Sequence, residues 1–324
     1  MILFVRRWLV SLAGMAALAG GGLAPVATAG PRLEESQGAL RSALSCESLE
    51  GFQERAVLLV HGTGTDAESN WRDGFEAALA SQGRPVCLVQ LPHNGLVDLQ
   101  RSTEYLVHAT RRMYRLSGRR IDVVGHSQGG LEPVWALRFW RGMRHRIAKV
   151  VALGTPYSGT AAGDLFCVAA TCPEAFWQFR PSSAFLARLA SGDPTRRRVD
   201  YTSIYTDYDQ AAQPPAQAAR LRGASVVGVQ EICPNRPVDH FLLADDAAAF
   251  AVVTHALDHP GRFGAAAVDA GAACQSFLPP GVDPVARIPR AASLPLALAT
   301  SLATAPMATA EPPLRCYAVR ACRR

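Results

Sequence analysis

Short apolar runs at residues 56–60, 85–91, 121–124 and 147–153 alternate with longer stretches whose apolar residues recur at helical spacing. Runs of this length, apolar on successive residues rather than on every second one, suit strands buried on both faces. Such strands lie parallel, and each must be joined to the next by a crossover, usually a helix. Residues 98–116 supply one, with Leu99, Tyr105, Leu106 and Met113 along one face, and residues 131–140 supply another. Further β-rich runs at 201–205 and 225–229 each lead into a polar loop. The pattern predicts an α/β fold with a mainly parallel central sheet flanked by helices. At 324 residues, 49% hydrophobic and 19% charged, the chain can bury such a core and is not of disordered composition. Neither a repeat nor a long linker divides it, so one domain is expected over residues 30–324.

The third run hands over to its helix through Gly125-His126-Ser127-Gln128-Gly129-Gly130. A bare turn would explain the glycines. A serine held clear of its own backbone explains them too, because only glycine-sized neighbours permit the sharp bend that exposes the hydroxyl. The strand before and the helix after favour the second reading, so Ser127 is the candidate nucleophile. A serine hydroxyl needs a base to take its proton, and the base needs a carboxylate to orient it. In strand–turn–helix sites of this kind the acid and then the histidine follow the serine in the chain. Of His145, His240, His255 and His259, only His240 lies in a polar loop after a late strand; His255 and His259 sit where a helix ends. His126 is read as structural. Asp207 and Asp209 both follow the 201–205 run and both remain candidates for the acid, whereas Asp239 should project away from the site. Developing negative charge on the substrate oxygen requires aimed donors. The backbone N–H of Gln128 is one candidate, and the Gly62-Thr63-Gly64 loop after the first run offers Thr63 as the other.

These segments, "VLLVHGTGT", "NW", "VVGHSQGGLEPVWAL", "VVALGTPYSGT" and "VDH", resemble the Candida antarctica lipase B family and its bacterial relatives. The similarity extends from about Cys46 to the C-terminus and is densest over residues 57–160. It implies an α/β-hydrolase fold and a secreted enzyme that cleaves carboxylic esters of acylglycerols. Carried over by position, the nucleophile falls on Ser127, the acid on Asp209, the base on His240, and the oxyanion donors on Thr63 and Gln128. The family's disulfide pattern implies Cys46–Cys87, Cys233–Cys274 and Cys316–Cys322, which leaves Cys167 with Cys172. That last pair lies within residues 163–179, where the resemblance places a short cover over the active-site entrance. A loop so closed should move less, and weak interfacial activation is expected. Leu131, Phe166, Phe176 and Trp177 are candidates for the acyl and alcohol pockets or for core. The family has a proline where this chain has His61.

The first 29 residues read as a secretory signal peptide. Arg6 and Arg7 precede an apolar stretch at 8–18, and Ala27-Thr28-Ala29 forms a small-residue cleavage site. The stretch is too short and too glycine-rich to be expected as an anchor. Eight cysteines in an exported chain imply disulfides, and no ligand spacing supports a metal. The formal charge of +6 comes as scattered pairs and one triplet without interleaved aromatics, which excludes a nucleic-acid site. Residues 292–310 are alanine-rich and interrupted by Pro295 and Pro306; a helix packed on the body of the protein is expected rather than a membrane span. No cofactor or metal is implied. The expected partners are an ester or lipid substrate and, transiently, a lipid surface, for a monomer. Acyl transfer or polyester cleavage would use the same residues, while a non-catalytic binding module would have no need of both serine and base.

Overall fold

In the computed structural model, which describes residues 30–319 apart from Glu47, Glu50 and Ala270, the apolar runs become the strands of one sheet. The strands are β1 (Leu44–Cys46), β2 (Val57–Val60), β3 (Val86–Val89), β4 (Ile121–His126), β5 (Ile147–Leu153), β6 (Cys172–Pro173), β7 (Asp200–Tyr205), β8 (Ser225–Gly228) and β9 (Met307–Ala308). Seven of them order as β1-β3-β2-β4-β5-β7-β8. All neighbours are parallel except β1, which runs antiparallel to β3. β6 and β9 pair separately, antiparallel.

The sheet has a core on each face. Leu58 and Val60 pack into one apolar cluster with the helices Leu99–Ser117 and Leu131–Phe139, while Val57 and Leu59 pack into another with Ala247–Asp258. Strands covered on both sides cannot alternate apolar with polar residues, which is why these runs read as continuous. Burying each such side chain contributes roughly 1.5–3 kcal/mol. The helix Leu99–Ser117 begins where the Asp98 carboxylate accepts the Gln100 N–H and stops at Gly118, in the left-handed conformation. The helix Leu131–Phe139 is buried on nearly every face, and Trp135 stacks on Phe185 with ring centroids 4.3 Å apart.

From β2 the chain moves to β3 on one side; from β4 it moves through β5 and β7 to β8 on the other. At such a reversal the loops leaving the carboxyl ends of the two central strands diverge and open a crevice. The loop after β2 carries Thr63, and the turn after β4 carries Ser127.

Elements read from the sequence match within a residue or two at their ends, and β5 matches its expected range. β1 was not legible: three residues, two of them exposed, carry no pattern. Residues 292–310 divide into the helix Leu294–Thr304 and β9. Pro295 stands in the first turn, where its missing N–H costs nothing. No described helix is long and apolar enough to cross a membrane. The preceding helix, Pro284–Ala292, is anchored by fully buried Arg287. Its guanidinium pairs with Asp245 and donates to the carbonyls of Ser69, Asn70 and Arg72.

Disulfides join Cys46 to Cys87, Cys167 to Cys172 and Cys233 to Cys274. Cys316 is disulfide-bonded, and Cys322, expected as its partner, lies outside the described residues, as does the expected signal peptide at 1–29.

Candidate active site

Ser127 adopts φ +52°, a left-handed conformation that a residue with a side chain rarely holds. The strain is maintained by close packing of the turn. A methyl on Gly125 would stand 2.0 Å from the carbonyl oxygen of Gly129, and one on Gly129 would stand 2.3 Å from that of Val60. Glycine is therefore required on both sides of the serine. The Thr155 hydroxyl, just past β5, donates to the Ser127 carbonyl (2.7 Å) and fixes the turn from below.

Asp209 and His240 meet directly. His240 Nδ1–H donates to Asp209 Oδ2 (2.8 Å), and both side chains are buried. The other carboxylate oxygen accepts the N–H groups of Ala211 (2.8 Å) and Ala212 (2.6 Å). Burial alone would raise this carboxyl. The imidazole donor and the two amides outweigh it and hold Asp209 below the usual carboxylate range. With Nδ1 committed as donor, His240 Nε2 carries the lone pair. Asp207 takes no part: it is exposed, and its N–H donates to Gln230 Oε1 (2.9 Å).

The pair rests on Gly154 at the end of β5. A methyl there would lie 3.1 Å from His240 Nδ1 and 3.2 Å from Asp209 Oδ2. Gly154 thus supports the imidazole while its neighbour Thr155 holds the serine turn. A second tie runs through His126, whose Nε2–H donates to the His240 carbonyl (2.8 Å). Burial, with the adjacent His240, pushes His126 down to about 3, so its ring is a neutral brace. The residue before the serine and the loop carrying the imidazole are held together. Among the described residues the Ser127 hydroxyl makes no hydrogen bond of its own, a common state of a substrate-free site.

The loop after β2 approaches the serine from the other side, where a methyl on Gly62 would lie 3.3 Å from Ser127 Cβ. Its backbone is fixed by Asn70, whose Oδ1 accepts the Gly62 N–H (2.8 Å), and by Asn94, whose carbonyl accepts the Gly64 N–H (2.7 Å). The Thr63 N–H finds no acceptor among the described residues and stays available. The Gln128 N–H opens a helical turn, where amides lack partners within the helix. The Thr63 hydroxyl donates to Gln128 Oε1 (2.7 Å), joining the two expected donor residues.

His61 occupies the position after β2 as a clip. Nδ1–H donates to the Gly62 carbonyl (2.8 Å), and Nε2 accepts the Leu91 N–H (2.9 Å). Burial lowers it to about 4, which keeps it neutral and able to do both. Asn70 and His61 were not assigned such roles from the sequence, since only the fold brings residue 70 to residue 62. Of the pocket candidates, Leu131 and Phe176 are buried in the core. Phe166 is exposed and packs on Phe176 with centroids 4.3 Å apart, while Trp177 Nε1–H donates to the Ala308 carbonyl (3.1 Å).

The fold that carries this carboxylate–imidazole pair and strained serine is shared with known proteins. Lipase B of Aspergillus fumigatus superposes with a TM-score of 0.80 at 28% identity, covering 91% of this chain and 74% of that one. The fold is that of the α/β hydrolases. Lipase B of Pseudozyma antarctica is 29% identical over 219 residues, 65% of this chain. The chain spans 64% of that relative's length. A lipase of Bacillus licheniformis in its propeptide form shares the hydrolase fold alone, with a TM-score of 0.55 at 16% identity over 68% of this chain and 54% of that one. No family model matches the chain. The resemblance to the lipase B family seen in the sequence holds.

Proposed function

We propose that the protein is a secreted serine hydrolase that cleaves carboxylic esters of acylglycerols, with Ser127 as nucleophile, His240 as base and Asp209 as the group that orients it. The observation that carries this reading is the Asp209–His240 hydrogen bond beside a serine held at positive φ. His240 Nε2 takes the Ser127 proton as the oxygen attacks the acyl carbonyl, and the imidazolium is stabilised by Asp209. The Thr63 and Gln128 N–H groups receive the developing oxyanion, each donor typically supplying roughly 10²–10³-fold in rate. His240 returns the proton to the leaving alcohol. The same base then activates water to release the fatty acid from the acyl-enzyme.

The ester substrate follows from likeness to the two B lipases. Secretion is supported by the signal-like N-terminus and by disulfides, which persist in oxidising compartments. A panel of p-nitrophenyl esters of graded chain length, followed by a triglyceride emulsion, tests the reading. Hydrolysis of both is expected, abolished in Ser127→Ala, with no sharp jump in rate when the substrate passes its solubility limit. Undiminished hydrolysis by Ser127→Ala would overturn it.

A further inference from the structure

Behind the two donor residues lies a carboxylic acid that the reaction scheme does not use. Glu132, in the first turn of the helix Leu131–Phe139, is fully buried. It forms no ion pair among the described residues. Its Oε1 accepts a hydrogen bond from Gln128 Nε2 (2.8 Å), and its Oε2 has no partner. Gln128 in turn presents Oε1 to the Thr63 hydroxyl. Gly95 leaves room for this amide, since a methyl there would stand 3.0 Å from Gln128 Oε1.

We propose that Glu132 is a positioning residue: through the Gln128 amide, its carboxyl decides where the Thr63 hydroxyl proton points. The inference rests on the serine-hydrolase reading. A hydroxyl has one proton to give. While Glu132 only accepts, Gln128 must turn Nε2 toward it and Oε1 toward Thr63, and the threonine proton is committed to that oxygen. A protonated Glu132 can also donate. Gln128 then reverses, accepting from the carboxyl and donating Nε2–H to Thr63 Oγ1, and the threonine proton is released toward the substrate oxygen as a third donor. Ionised Glu132 permits only the first arrangement.

Burial without a cation raises Glu132 from the ordinary 4.5 to about 8, so the change falls in an accessible range. Tyr157 is raised by burial first, with the charges of Tyr201 and Glu132 adding to it, so it stays protonated; its hydroxyl donates to the Gly130 carbonyl (3.2 Å). The neighbouring helices Leu99–Ser117 and Ala184–Ala190 also carry titratable groups. Glu104 pairs with Arg315, His108 lies in the field of Arg115, Arg112 and Arg111, and Arg188 donates to the Ala318 carbonyl.

The test is kcat and KM for p-nitrophenyl butyrate from pH 6 to 10 in the wild type, Glu132→Gln, Glu132→Met, Thr63→Val and the Glu132→Gln/Thr63→Val double variant. Active enzyme is counted in each by fluorophosphonate titration of Ser127. In the wild type kcat should fall about ten-fold as pH passes 8, part of the 10²–10³-fold that an oxyanion donor commands, with KM nearly constant. Both Glu132 variants should lack that limb. Thr63→Val should lack it too, and adding Glu132→Gln to it should change nothing further. A limb unchanged in the Glu132 variants that still titrate at Ser127 would overturn the inference. Failure of the wild type itself to label at Ser127 would instead defeat the serine-hydrolase reading.

Discussion

Asp207 and Asp209 differ by two positions and follow the same strand, so neither hydropathy nor spacing separates them. Their surroundings do. Asp209 is buried, accepts two backbone amides and receives the His240 proton donor, while Asp207 faces solvent. Asp209→Asn should keep the geometry but favour the wrong imidazole tautomer, lowering kcat by about 10⁴-fold. Asp207→Asn should leave kcat within about two-fold, as surface changes away from a site generally do. Steady-state rates on a soluble ester distinguish the two. Ser127 and His240 stand out as candidates in the sequence because glycine spacing and a polar loop mark them locally. Glu132 does not: the role proposed for it depends on Gln128 and Thr63 converging from separate strands, which no local pattern records.

At the scale of elements, the central strands declared themselves because burial on both faces leaves continuous apolar runs. β1, β6 and β9 did not, being two or three residues held by pairing partners and disulfides rather than by pattern. β6 pairs with β9 and contains Cys172, so the segment expected to cover the site is fastened to the C-terminal region as well as closed on itself. The turn after β4 is the element on which the proposed chemistry depends most. Gly129→Ala would press a methyl against the Val60 carbonyl, and overpacking of this kind costs typically about 1–3 kcal/mol. A urea midpoint lowered accordingly and a rate reduced by far more than the loss of folded protein are expected. Wild-type activity in a stable Gly129→Ala protein would show that the turn does not need its tight geometry.

Across the whole molecule, the strand order carries the account further than any motif. The reversal between β2 and β4 brings residues 62–64 and 127–128 to one crevice, and the crossovers through β7 and β8 deliver Asp209 and His240 to the same edge. The sequence revealed the parallel class and the order of the elements, but not the ties that pull distant loops together. Those are the His126 donor to the His240 carbonyl, the Asn70 carboxamide on the loop after β2 and the Arg287 anchor of the C-terminal helices. The central claim is that Ser127 and His240, 113 positions apart, act as one unit. The most direct measurement is the rate at which a fluorophosphonate reacts, with the modified residue located by mass spectrometry. One adduct per chain on Ser127 is expected, forming at least about 10³-fold more slowly in His240→Ala, because the serine then has no base. An adduct elsewhere, or wild-type labelling in His240→Ala, would contradict it.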